Sequence, residues 1–389
     1  MAIAENTQYR TKQILIGRMA DLNTGVSPMT ATKYWDISKY ASAFSLDISK
    51  NKESVTVVAN NGQQAADIVG GVMVEGSLEL NLPAEMMILL ISGVYGTAVQ
   101  TALTATTWAA TVVTTKGSIV KLSGGKYLVA KTGGTTGSTA PVVTSVTNYQ
   151  TVVDGTVTWI LRDNLYSSTH TSGFCTDKFF IVQRVAEGCG SSNTMDTIAL
   201  NVELNALNIE KTDSSIGNKQ SLSLVATKGY FSTDSSFVNI TTTSPVNFNE
   251  EYWTVDDVLV RIDGAKYGTM YNFSANYARN ISMGTSTEPL ERITKVDAPT
   301  LSGNVTLELD PTEFNVVYNV ARKSVVVTYD KGNGEKIIFT FPKTVFDNMK
   351  QSGNANEVRT MTADIKPVGD STTAMATVTV QTGLSYKLV

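Results

Sequence analysis

The sequence predicts a mainly β protein built from two tandem units, each with a short flanking helix, and a small β module inserted into the first. Three observations predict it: the composition, a strand and helix pattern that occurs twice, and an unequal spacing between the two copies. Hydrophobic residues make up 42% of the 389 residues and charged residues only 17%. Thr, Ser, Asn and Gly fill the gap, and such residues suit sheet faces and turns better than exposed helices. The length exceeds the roughly 250 residues at which single cores stop growing.

The duplication shows first in two strand patterns. Residues 44–51 read FSLDISKN and residues 273–280 read FSANYARN, both following Phe-Ser-x-(Asp/Asn)-x-x-(Lys/Arg)-Asn. A second match follows in each copy, GSLELNL at 76–82 and GNVTLEL at 303–309. In the first, Val72, Val74, Leu78, Leu80 and Leu82 alternate with Met73, Glu75, Ser77, Glu79 and Asn81. In the second, Leu301, Val305, Leu307 and Leu309 alternate with Ser302, Asn304, Thr306, Glu308 and Asp310. A period of two over this length predicts a strand with one buried and one wet face.

Each strand then runs into a helix signal, Pro83-Ala-Glu85 and Pro311-Thr-Glu313, with proline at the first turn and an acid near the positive helix end. Met86, Leu89 and Leu90 correspond to Phe314, Val317 and Tyr318, which predicts a helix lying on the apolar face of the sheet. A third match sets Lys178–Val182 (KFFIV) against Lys336–Thr340 (KIIFT), each followed by a loop and another strand, 197–204 and 360–366. Three matches in one order predict a duplication.

The spacing of the third match locates an insertion. Pro83 precedes Lys178 by 95 residues, whereas Pro311 precedes Lys336 by 25. The extra chain is Thr/Gly/Val-rich, with short β runs, the Gly-rich segment 133–141 and an Asp154-Gly155 turn. The expected division is 1–97 with 166–230 for the first unit, 98–165 for the module and 231–389 for the second unit. Because insertions settle in exposed loops, the module is expected to protrude and to be removable without loss of assembly.

Sites of chemistry are scarce. The net charge is −4, with no basic run to grip phosphates. Cys175 and Cys189 match no zinc spacing and read as reduced thiols. The single histidine, His170, lies in SSTHTSG and reads as a solvated loop residue. GGTTGSTAP lacks the Gly-Lys-Ser/Thr ending of a phosphate loop. Asp256 and Asp257 read as turn residues before the strand 258–262. No catalytic residue, metal ligand or cofactor is expected. Trp108, Tyr127 and Trp159 could form a sugar-stacking platform, but they read more readily as the core of a module too small to have another. The N-terminus lacks a secretory pattern and no window reaches the roughly 18 apolar residues of a membrane span, so the chain is expected in the cytosol or released by lysis.

The order of long hairpin strand, alternating strand with Gly-x-Leu-x-Leu, helix opening Pro-x-Glu, and further strands resembles the tail tube proteins of siphophages. Residues 70–96 carry the resemblance most fully, and it extends more loosely to the second copy. It implies tandem β-sandwich or partial-barrel units that join edge to edge into stacked rings around a lumen. Glu75, Ser77, Glu79, Asn81, Asn304, Thr306, Glu308 and Asp310 would then line the lumen, and viral DNA would pass without sequence-specific binding. Ser49, Lys50, Asn51, Lys52 and Glu53, read as a hairpin tip, would make ring-to-ring contacts. Two units per chain imply a trimer with pseudo-sixfold symmetry, with a hexamer as the alternative. The family further implies a tape measure protein and terminator or tip proteins as partners, assembly in the bacterial cytoplasm and residence in the virion. A tail-tip or host-binding protein with a carbohydrate-binding insert is the competing expectation.

Overall fold

The computed structural model describes residues 9–24, 29–56, 64–96, 98–143, 149–173, 175–187, 194–212, 218–232, 238–239, 252–266, 270–279, 281–285, 292–296, 298–308, 322–353, 359–370 and 372–383. Strands of four residues or more, with the α-helix, run in the order β1 (Tyr9–Arg18), β2 (Ala41–Thr56), β3 (Gln64–Leu82), α1 (Ala84–Val94), β4 (Tyr127–Ala130), β5 (Thr151–Asp154), β6 (Val157–Arg162), β7 (Tyr166–Thr171), β8 (Phe179–Glu187), β9 (Thr194–Leu204), β10 (Ala206–Thr212), β11 (Asn218–Ala226), β12 (Lys228–Ser232), β13 (Val258–Ile262), β14 (Met270–Ala278), β15 (Ile281–Thr285), β16 (Arg292–Val296), β17 (Thr300–Glu308), β18 (Lys323–Asp330), β19 (Lys336–Ser352), β20 (Thr360–Pro367) and β21 (Thr377–Thr382). The protein is mainly β, in several open sheets; no sheet closes into a barrel among the described residues.

One pairing order occurs twice. In the first set β1, β8, β9 and β12 are neighbours, and so are β2, β3 and β11. In the second, β13, β18, β19 and β21 repeat the first series, while β14, β17 and β20 repeat the other. The registers agree residue by residue. Leu46 faces Gly76 across β2 and β3, and Ala275, its counterpart in the repeated motif, faces Gly303 across β14 and β17. Both glycines sit where a Cβ would strike the neighbouring strand's backbone, at the carbonyl oxygens of Ser45 and Ser274. Only glycine permits that approach, so the shared Gly at 76 and 303 is a packing requirement in both copies.

The third sequence match is displaced by one strand. It equated β8 with β19, but the pairing order puts β8 in the place of β18, and β9 with β10 in the place of β19. Short apolar runs such as KFFIV and KIIFT carry no information about their neighbours, so hydrogen-bonded partners decide the correspondence. Matched this way, β7 has no counterpart in the second set among the described residues; it pairs with β21 instead.

The helix is buried on every side. Met86 to Ile91, Val94 and Tyr95 have no exposed surface, which explains a segment apolar all the way round rather than on one stripe. Pro83 is extended (φ −65°, ψ 156°) and precedes the first helical residue. Tyr95 is extended too and ends the helix, its N–H donating to the Ile91 carbonyl at 2.8 Å. An isolated helix this short is marginal in water, so packing holds it. It lies among β3, β9, β10 and β21, and Tyr95 stacks on Tyr277 of the second set with centroids 4.2 Å apart. One hydrophobic core accordingly runs through both strand sets.

The module has its own sheet, in the order β5, β6, β4 and then the short strands Ile119–Lys121 and Thr106–Thr107. Its core holds Leu128, Ala130, Val157, Trp159 and Leu161, with Trp108 packed against them. Asp154, in the Asp-Gly turn, organises it. The Trp108 and Trp159 indole N–H groups donate to Asp154 Oδ2 at 2.8 and 3.2 Å, and the Gly137 N–H donates to Oδ1 at 2.8 Å. Asp154→Ala strands two indole donors. It is expected to destabilise the module by about 2–4 kcal/mol, read as an earlier tryptophan fluorescence transition in denaturant.

A buried polar node fixes the module to the second set. Arg162, 2% exposed, pairs with the fully buried Glu335 at 3.1 Å and donates to the Asn333 carbonyl at 2.9 Å. The Tyr149 hydroxyl donates to the same Glu335 oxygen at 2.8 Å, and the guanidinium lies over the Tyr149 ring. Burial, with Glu335 alongside, pushes the Tyr149 hydroxyl well above its ordinary value.

Candidate functional site

The alternation of β3 and β17 sorts their side chains onto two faces. Val74, Leu78 and Leu80 are buried in the core, while Glu75, Ser77 and Glu79 are exposed. Leu301, Val305 and Leu307 are buried, while Asn304, Thr306 and Glu308 are partly exposed. Asn81 lies in β3 with its side chain outside the described residues, and Asp310, like the second expected helix, lies outside them altogether.

The polar face extends across neighbouring strands. In the first set Asp47 faces Glu75, Ser45 faces Ser77, and Ser77 faces Ser223; Ser45 and Ser77 hydroxyls are 2.9 Å apart. In the second, Ser274, Asn304, Asp364 and Asp347 form one row, and Asn272, Thr306, Thr362 and Lys350 the next. Thr306 and Thr362 hydroxyls are 3.0 Å apart, Asn348 donates to Asp364 at 2.8 Å, and Lys366 pairs with Asp347 at 3.0 Å. That pairing, with the Asn348 N–H, holds the Asp347 carboxyl below its ordinary value. Burial pushes the Glu210 carboxyl on β10 up. The result is a surface of carboxylates, hydroxyls and amides, with the ammonium groups of Lys350 and Lys366 among them.

The two sets meet at a seam. β10 pairs with β14 over seven residues, from Ala206 opposite Ala278 to Thr212 opposite Asn272. Asn205, between β9 and β10, ties the seam to β11: its N–H donates to the Ser223 carbonyl, and its side-chain oxygen accepts from the Ser223 N–H. Arg279 closes the seam from inside. With no exposed side-chain surface, it pairs with Glu203 at 3.1 Å and donates to the carbonyls of Gly93 and Leu204, each at 3.3 Å. Gly93 is in the last turn of α1, where carbonyls lack helical partners and a cation is favoured. Arg279 occupies the Lys/Arg position of the repeated motif; its burial could not be read from that motif.

Beyond the seam the sheets end in open edges. Among the described residues β2 pairs only with β3, and residues 345–352 of β19 pair only with β20. The expected hairpin tip is not one. Ser49, Lys50, Asn51, Lys52 and Glu53 lie inside β2, with Lys50 opposite Val72 and Glu53 opposite Ile68. The alternating pattern of β2 breaks at a register shift between Lys50 and Lys52, which reads as a turn but is a bulge.

The other singled-out residues lie inside the fold. Trp159 is fully buried and Tyr127 3% exposed, so neither offers a ring face; Trp108 is partly buried against the module core. His170 is not a solvated loop residue. It is fully buried in β7, with Nδ1 2.9 Å from the Gly96 carbonyl and Nε2 3.2 Å from the Ser168 hydroxyl. Cys175 is an exposed free thiol, and Cys189 lies outside the described residues. Among the described residues no three His, Cys, Asp or Glu side chains gather as metal ligands, and no helix is long and apolar enough to cross a membrane.

Asp257 ends a short 3-10 turn, Val255–Asp257, ahead of β13. Burial alone would raise its carboxyl, but Lys331 at 2.8 Å and the Thr254 N–H and hydroxyl together hold it below 3.8. A depressed folded value stabilises the fold above the ordinary value, and that stabilisation is lost as pH falls through the folded one. Asp257→Asn should therefore lower the denaturation midpoint at about pH 6, with the difference from wild type vanishing well below about pH 4.

No protein-family model matches the chain, and no curated protein matches its sequence.

Proposed function

We propose that the chain is the structural subunit of a bacteriophage tail tube of the siphophage type, a self-assembling wall for DNA in transit. One observation carries the reading: a pairing order present twice in one chain, with a polar face and, among the described residues, an open edge at each end. Exposed unpaired edges of this length invite aggregation, and joining edge to edge into a ring removes them. On this reading the strand sets are tandem tail-tube-type units, and three chains supply six to a ring. The carboxylates and hydroxyls face the lumen, where they repel phosphates and let DNA slide. Tape measure, terminator and tip proteins would bound the tube in length, and the virion would be its location. The module then lies outside, since inside it would block passage.

The burial of Trp159 and Tyr127 takes the sugar platform from the competing host-binding reading. Negative-stain microscopy of the purified protein tests the proposal. Uniform hollow filaments are expected; discrete particles that bind glycans would overturn it.

A further inference from the structure

We infer that successive copies of this chain join through β2 of one and residues 345–352 of β19 of the next, in a register that sets Asp47 opposite Lys350. The inference rests on the tube reading and adds to it the residues that meet.

The seam inside the chain supplies the template. Phe44 matches Phe273 in the repeated motif, so Ser45, Asp47 and Ser49 take the places of Ser274, Asn276 and Ala278. The shared register of Gly76 and Gly303 confirms that correspondence in three dimensions. β14 has a neighbour on each side, β17 and β10, whereas β2 has only β3 among the described residues. The position that β10 fills on β14 is therefore open on β2 among the described residues.

The second set contains the strand suited to fill it. Leu224 faces Gly76 and also Leu204, while Ile365 faces Gly303 and also Phe346. Leu204 and Phe346 are thus equivalent, and Ala206, Asn208 and Glu210 correspond to Asn348, Lys350 and Ser352. Facing agrees across the bulge between Asp347 and Lys350: Met349 packs against the core, as Leu207 does in its place. Lys350 lies opposite Thr362 on the polar face.

Within the chain Asn208 faces Asn276, and Glu210 faces Ser274. Carried to the open edges, that register places Lys350 opposite Asp47 and Ser352 opposite Ser45. Asp47 and Lys350 are both exposed. A neutral amide pair inside the chain becomes an opposite-charge pair between chains, so the two edges prefer each other to a second copy of themselves.

Cysteine pairs in the full-length protein test the register. Facing Cβ atoms about 4.5–5.5 Å apart lie close to disulfide reach, and a shift of two residues moves them well beyond it. Oxidation of assembled Asp47→Cys/Lys350→Cys protein should give a ladder of linked chains. Each single variant, the control for Cys175 and Cys189, should not, nor should Asp47→Cys/Ser352→Cys. Charge exchange gives an independent readout: Asp47→Lys should raise the assembly concentration several-fold, and adding Lys350→Asp should restore it. Hollow filaments that link only through the shifted pair, or that ignore the charge exchange, overturn the register and leave the tube reading standing. Absence of filaments in the wild type overturns both.

Discussion

Replacing Arg279 with methionine should lower the free energy of unfolding by about 3–5 kcal/mol, the usual consequence of removing one member of a buried ion pair. Glu203, 3% exposed, would lose its buried guanidinium partner and retain Lys178, whose ammonium reaches it at 3.2 Å from a side chain 43% exposed. The carbonyls of Gly93 and Leu204 would lose their donor together. The double variant Arg279→Met/Glu203→Leu should recover much of the loss, because apolar replacement of a whole buried pair is often neutral or better. Denaturant unfolding of the three proteins checks both statements. If the single variant unfolds like the wild type, the clasp does not hold the seam.

Removing Glu335 has an effect of similar size at the other junction. Glu335→Ala leaves Arg162 charged and 2% exposed beside the Asn333 carbonyl and the Tyr149 ring, without its carboxylate. A loss of about 3–5 kcal/mol is expected, with early proteolysis between the module and the second strand set. Glu335→Gln, which keeps an acceptor for Tyr149, should lose less. The same node changes what deletion of residues 98–165 should do. From the sequence the module reads as freely removable. Its loss takes both Arg162 and Tyr149 from Glu335, so the deletion should be more stable with Glu335 replaced by a neutral residue. Equal stability of the deletion with and without that replacement would show that the node is not coupled to the fold.

Strands that alternate over a long stretch were legible before any coordinates. β3 and β17 follow their Leu-x-Leu pattern, and the exposed Glu75, Ser77 and Glu79 lie where a period of two puts them. The first helix was legible from Pro83 and the apolar run after it, although its burial on all sides depends on the second strand set closing over it. Contacts set by distant partners were not legible. A Lys/Arg position in a strand motif reads as surface because arginine is rarely buried, yet Arg279 has Glu203 waiting 76 residues earlier. His170 sits among Ser and Thr that resemble a loop, and only its pairing with β21 shows the strand. The displaced third match has the same cause, since KIIFT opens a strand that later changes partners from β18 and β21 to β20.

On the tube reading, the two strand sets of one chain are two sixths of a ring wall. End-on averages of assembled filaments decide whether they are. An open centre enclosed by a wall of near-sixfold appearance is expected, with three outer knobs, one module per chain. Six knobs around the ring would place half the strand sets outside the wall, and a filament without an open centre would leave the polar face with no lumen to line; either result would contradict it.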